Sequence, residues 1–176
     1  MQTGKVKVEY NIFTTINNDN QLHSFAGIPA VIDANGDKYW YKNGKKHNKN
    51  RDLAGRILPA EIYANGNKQW FQNNLIHNDD RDPYGKLLPA ADYTNGSKYW
   101  CQNGKYHNND KDENGKLLPA VVYSNGSKSY WINGQLHNDS RDSNGKLLPA
   151  IVDKIGAKTY WINGKEIKET DPEMFI

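Results

Sequence analysis

Pro29, Pro59, Pro89, Pro119 and Pro149 stand 30 residues apart, and each is followed by alanine. Six residues after each proline comes Asn35, Asn65, Asn95 or Asn125, followed by glycine; the fifth copy has Ile155-Gly156 there. A second turn follows at Asn43-Gly44, Asn103-Gly104, Asn133-Gly134 and Asn163-Gly164, with Asn73-Asn74 as its variant. Then comes a histidine at 47, 77, 107 and 137. Self-similarity at a fixed period of this length marks a repeat array, in which each unit buries its apolar face only against its neighbours.

Asn-Gly between short alternating runs signals a β-hairpin, because a type I′ turn needs positive φ at both central residues. Two such turns eight residues apart predict a three-stranded meander, and no 3.6-residue period survives that spacing. The expected fold is therefore all-β: tandem antiparallel three-stranded meanders in an elongated array of about 13 strands. The alternative is a closed five-fold barrel or propeller-like arrangement, though 30 residues is short for a four-stranded blade. The chain divides into an N-terminal cap (1–26), an array (27–56, 57–86, 87–116, 117–146 and 147–164) and a C-terminal cap (165–176). Residues 12–26 read as a partial unit, with a turn at Asp19-Asn20 and His23 after it. From His23 to Pro29 is six residues, against twelve from His47 to Pro59, so the first junction is short.

If both turns are two-residue turns, the facing pairs follow. Tyr123 faces Lys128, Val121 faces Tyr130, Trp131 faces Leu136 and Tyr130 faces His137. Trp40, Trp70 and Trp100 face His47, His77 and His107, and Tyr160 faces Ile167. Asp33 and Asp153 would then oppose Lys38 and Lys158, which pairs opposite charges. Side chains alternate between faces. One face thus carries Trp40, Trp70, Trp100, Tyr130 and Tyr160; the other carries Tyr41, Phe71, Cys101, Trp131 and Trp161.

Bulk properties exclude several classes. Hydrophobic residues are 36% and aromatics 11%, which suits a thin structure held by Tyr and Trp rather than a thick core or a disordered chain. The 23 basic and 20 acidic residues are interspersed, so no basic block argues for nucleic acid. Cys101 is the only cysteine, which excludes an internal disulfide framework. No stretch approaches transmembrane length, and Met1 to Phe13 has no apolar segment of signal-peptide type. A cytoplasmic or virion-associated protein is the expectation.

Four motifs invite chemistry. The repeated histidines suggest metal or acid–base work, but each interior one faces an aromatic ring by register. The expectation is an imidazole stacked on that ring and hydrogen-bonded to backbone or a neighbouring loop. Asp110, Asp112, Asn114 and Gly115 match the start of a calcium loop, yet Val121 stands where the closing acid belongs, and the sister loops degrade further. The plainer expectation is a surface turn capped by its own Asp and Asn. Arg51, Arg81 and Arg141 are each followed by Asp, which predicts a repeated ion pair or loop clip, with Lys111 as the weaker variant. Cys101 holds an aromatic position and reads as core filler rather than nucleophile. The aromatic columns remain the best binding candidates: Trp40, Trp70, Trp100, Trp131, Trp161, Tyr41 and Phe71.

The Pro-Ala pairs, Asn43-Gly44-Lys45 and His47 resemble tandem hairpin repeats of the MORN type (membrane occupation and recognition nexus), in the variant form of bacteria, phages and large DNA viruses. The resemblance covers about residues 12–168. It implies an elongated antiparallel β array with a binding or scaffolding role and no enzyme activity. A looser similarity is to the aromatic hairpin repeats of cell-wall-binding modules. The expected function is a non-catalytic protein-interaction or structural assembly module, acting on a protein partner or by self-assembly. The alternative is a carbohydrate or cell-wall binding module using exposed aromatic residues.

Overall fold

In the computed structural model, residues 4–175 are described; the first three residues of the N-terminal cap and Ile176 of the C-terminal cap lie outside the described residues. One antiparallel sheet of thirteen strands runs through the molecule in a linear, open order, flanked by four two-stranded ribbons. The chain is an elongated all-β array of hairpins, not a closed barrel.

The first four units contribute three hairpins each and the fifth contributes two. The first, such as Val31–Ile32 with Lys38–Tyr39, enters the large sheet and pairs with the next unit's first hairpin through Lys38↔Ile62 and Tyr39↔Glu61. The second, such as Tyr41–Lys42 with Lys45–Lys46, leaves the sheet as a separate ribbon. The third lies in the linker, where single bridges join Arg51 to Ile57, Arg81 to Leu87, Lys111 to Leu117 and Arg141 to Leu147. The expected meander is therefore broken. Its middle strand bends at Trp40, Trp70, Trp100 and Tyr130, which fall between strands, and runs unbroken only over Lys158–Ile162. The sheet takes two strands from each of the five units and two from the N-terminal hairpin Lys5–Glu9 with Ile12–Ile16, and Lys165–Ile167, which in the fifth unit stays paired with the unbroken strand instead of leaving as a ribbon, is the thirteenth.

The second turns behave as expected. Asn133 and Gly134 both have positive φ, and Trp131 faces Leu136. Tyr160 likewise faces Ile167. The first turns do not. At Ser124-Asn125-Gly126 only glycine has positive φ (88°), with hydrogen bonds Gly126 N to Tyr123 O and Tyr123 N to Ser127 O. That is a type I turn closed by a glycine bulge, a three-residue loop. The extra residue shifts the register by one: Lys128 faces Val122, not Tyr123, and Val121 faces Ser129, not Tyr130. Lys38 likewise faces Ile32 and Lys158 faces Val152, so the expected Asp33–Lys38 and Asp153–Lys158 oppositions are absent. Asp33 Oδ1 instead accepts the N–H groups of Asn35 and Asp37, and Asp153 Oδ1 those of Ile155 and Ala157.

The units are joined at the Pro-Ala pairs. Ala30, Ala60, Ala90, Ala120 and Ala150 are fully buried. Ala90 N donates to Tyr99 O of its own unit, and its carbonyl accepts from Trp70 N of the unit before. Beside it, Asn78, Asn108 and Asn138 are buried, and each donates its amide to the carbonyl of Pro89, Pro119 or Pro149. The same side chains accept from the N–H two residues on. The third hairpins are clipped in series. Arg51 bonds the carboxylate of Asp80 at 3.0 Å, Arg81 that of Asp110 at 2.8 Å, and Arg141 the carbonyl oxygens of Glu173 and Met174. The expected arginine clip exists, but its acid belongs to the next unit rather than to the adjacent residue. The C-terminal segment ends the row: Leu147, Ile167 and Met174 form a buried cluster, and Leu147 N donates to Met174 O.

Replacing Asn108 by alanine strands the Pro119 carbonyl and the Asp110 N–H in a buried place. Chemical denaturation should show a loss of about 2–4 kcal/mol, whereas Asn109→Ala, at an exposed neighbour, should change stability by less than about 0.5 kcal/mol.

Candidate functional site

On one face of the sheet, register aligns Val31, Glu61, Ala91, Val121 and Ile151 at equivalent positions of successive units, alternating with Tyr39, Gln69, Tyr99, Ser129 and Thr159. Ala91 is the smallest of its row. In the unit before, the same place is filled by Glu61, which is buried, ion-paired with Lys46 and bonded to the Tyr63 hydroxyl at 2.8 Å. Lys46 also lies 5.3 Å from the Phe71 ring centroid, a cation–π distance. Alanine at 91, with Ile76 in place of Lys46, leaves a depression of about 450 Å³.

Tyrosines wall this depression. Tyr99 meets Tyr93 edge-on at 5.4 Å and Tyr123 edge-on at 5.8 Å, and stacks with Tyr106 at 6.1 Å. Tyr106 reaches on to Trp131 at 5.6 Å. Edge-on and offset contacts are the favoured geometries for aromatic pairs, so the cluster is mutually braced. Two rings remain open to solvent: Tyr106 is 39% exposed and Tyr123 44%. Burial raises the phenol pKa of Tyr99 and Tyr106, with neighbouring tyrosines adding to Tyr99 and Cys101 adding to Tyr106. Their hydroxyls thus stay protonated at neutral pH and can both donate and accept. Cys101 forms part of the floor, 3% exposed, and burial pushes its thiol up to about 12.

The aromatic columns are placed differently. Trp40 is buried, and Trp70, Trp100, Trp131, Trp161, Tyr41 and Phe71 are half-buried. The indole N–H groups of Trp40, Trp70 and Trp100 each donate at 2.8 Å to the carbonyl of the residue 13 positions earlier: Gly27, Ile57 and Leu87. Trp131 and Trp161 donate instead to the hydroxyls of Ser129 and Thr159. Tryptophan thus changes face where a small hydroxyl residue replaces the tyrosine or glutamine two positions before it. The tryptophan N–H groups are thus satisfied within the chain, and of these columns Trp131 is the member paired with a ring of the tyrosine cluster.

The remaining motifs have structural partners. Asp110 is held by Arg81 and by the N–H of Leu87, which keeps its carboxyl below the usual carboxylate range against the opposing effect of burial. Asp112 Oδ1 caps its own turn through Asn114 N and Lys116 N, and Asn114 is exposed. Among the described residues, no three or more His, Cys, Asp or Glu side chains gather as a metal site. The imidazoles of His77, His107 and His137 use Nδ1 to accept the N–H of Asn103, Asn133 and Asn163 in the next unit. The neighbouring-loop bond is as expected; the expected stacking on the facing ring gives way to it, and among the described residues the one close histidine ring pair is His23 with Phe25 at 4.7 Å. His77 and His137 also approach Asp79 and Asp139, two residues on, at 3.7 Å. His47 is the exception: among the described residues its Nδ1 has no partner, and the variant Asn73-Asn74 turn uses the Asn74 side chain instead to accept the Lys46 N–H at 2.7 Å.

Compared with family models, curated proteins and solved structures, the chain matches none. No helix among the described residues is long and apolar enough to cross a membrane.

Reading from the residues alone singles out the tryptophans and misses Ala91, Tyr93, Tyr99, Tyr106 and Tyr123 as a group. The signal is present in the unit alignment, as one alanine in a row of larger residues flanked by tyrosines.

Ellman's reagent at pH 8 should leave Cys101 unmodified in the folded protein and titrate it fully after unfolding. Burial, with Lys42 and Lys49 nearby, lowers the pKa of His47. Stability linked to it is therefore present above the ordinary histidine range and is lost as pH falls through the lowered value. In melting experiments between pH 8 and pH 5, wild type should lose stability relative to His47→Gln.

Proposed function

We propose that this chain is a non-catalytic interaction module whose tyrosine-walled depression over Ala91 seats an apolar side chain from a protein partner. The observation that carries this reading is the gap itself. A row otherwise filled by larger side chains has an alanine at mid-array, and the rings around the gap are mutually braced rather than collapsed into it. Braced tyrosines offer contact area at low entropic cost, and aromatic anchors set in pockets dominate protein interfaces. The resemblance to MORN-type repeats supports a scaffolding role of the same kind.

Peptides selected by phage display on the wild-type protein provide the test. Ala91→Val places in the gap the residue that unit four carries at Val121, so the fold should survive. Binding should fall at least about tenfold, equivalent to about 1.4 kcal/mol, and Tyr106→Ala should act similarly. Selected peptides that bind Ala91→Val unchanged would sink the proposal.

A carbohydrate reading draws on the open rings of Tyr106 and Tyr123, which could stack on sugar faces. Glycan-array signal lost in Tyr106→Ala would favour it; a silent array would remove it.

A further inference from the structure

The row of third hairpins has a missing member. Between units, each third hairpin is held by the next one: Asp80 takes Arg51 and the Ile57 N–H, Asp110 takes Arg81 and the Leu87 N–H, and Ser140 takes the Leu117 N–H. Asn50 occupies the same position in the first unit. The chain reaches Pro29 only six residues after His23, so no hairpin stands before it. Among the described residues the Asn50 carboxamide makes no hydrogen bond through its side chain. It lies beside Gly27, whose added Cβ would stand 3.9 Å from Asn50 Nδ2. Among the described residues, the place left open is a pocket of about 430 Å³, within the size range of small-molecule sites.

Its lining differs from what the later junctions would offer. Asp79-Asp80 and Asp139-Ser140 of the sister units are replaced here by Lys49-Asn50, and Lys42 stands in the facing second hairpin. The lining contains no carboxylate. The cationic character of the place also registers on His47, whose protonation is opposed by Lys42 and Lys49 together with burial. In the same lining the His23 and Phe25 rings pack at 4.7 Å beside Tyr41, with Gly4 close against one side of the Phe25 ring. Part of the frame is already fixed. Ser24 is bonded in both directions to the Tyr41 backbone, and His23 Nδ1 lies 2.8 Å from Asn43 Oδ1.

We propose that this slot binds a small phosphate monoester carrying a ring, of the sugar-phosphate or nucleotide kind. Lys42, Lys49 and the Asn50 amide receive the phosphate, and the ring lies against Phe25 and Tyr41. A cationic, carboxylate-free wall selects the charge, and an aromatic wall selects the flat part. This site is separate from the Ala91 depression, and neither reading depends on the other.

Calorimetric titration of the intact chain with AMP, inorganic phosphate and adenosine tests it. The double variant Lys49→Asp with Asn50→Asp installs the pair that this protein already carries at Asp79-Asp80, so folding should be kept, and melting experiments would verify that. AMP should bind wild type more tightly than phosphate, adenosine should not bind, and the double variant should bind AMP at least about tenfold more weakly. Absence of heat with millimolar AMP would overturn the proposal. So would adenosine binding as well as AMP, phosphate binding as well as AMP, or an unchanged affinity in the double variant.

Discussion

Every junction in this molecule depends on an alanine that serves two units at once. Its N–H closes a hydrogen bond within its own unit, while its carbonyl takes the N–H of the residue at the bend before it, Thr15 at the first junction and an aromatic residue at the other four. Because both backbone groups are used in a fully buried place, they cannot be given up to water. Nor can a larger side chain be accommodated without moving two hairpins apart. The preceding proline has no N–H to satisfy, and from Pro59 onward its carbonyl is taken by the buried asparagine beside it. The period of 30 is thus a packing period, set by the distance along the chain between successive shared alanines.

An array joined in this way exposes unfinished bonds at each end, and the two ends finish them differently. At the start, the hairpin Lys5–Glu9 with Ile12–Ile16 extends the sheet and presents an exposed outer strand bearing Lys5 and Lys7. Charged residues on an edge discourage further strand addition. At the finish, Arg141 would seek the acid of a following unit and instead finds the carbonyls of Glu173 and Met174, while Met174 seals the last apolar cluster. The third row has no such cover at the first junction. Asparagine there, in place of aspartate, removes the carboxylate that would recruit an arginine.

The sequence made the repeat, the all-β class and the second turns legible, because two positive-φ residues in succession leave little choice but a type I′ turn. The first turns escaped, since Asn-Gly also closes a type I turn with a glycine bulge, where only the glycine needs positive φ. One residue of loop length then moved the facing pairs across every first turn, and the apparent Asp33–Lys38 complementarity was an accident of the wrong register. The clip arginines were legible as clips but not as links to Asp80 and Asp110, because the partner lies 29 residues away and only stacking brings it near. The Lys5–Glu9 strand was hidden by the polar character of the chain's start, since an edge strand needs no apolar face to be paired.

Repetition hides sites as well as revealing the fold. A feature present in all five units, such as the alanine column, is needed to assemble the array, while the tryptophan N–H groups and three of the histidines, in columns that are not complete, bond within the chain. Departures from the repeat sort into two kinds. Some are compensated within the same unit: tryptophan changes face in units four and five, and serine or threonine arrives two residues earlier to take its N–H. Others leave space or a free donor behind. Ala91 leaves a depression between tyrosines, and Lys49-Asn50 leave an uncovered cationic slot. A departure that packing does not repair must be tolerated at some loss of buried contact. In an array where sister units show the repaired alternative at the same position, those uncompensated positions are where binding is to be sought.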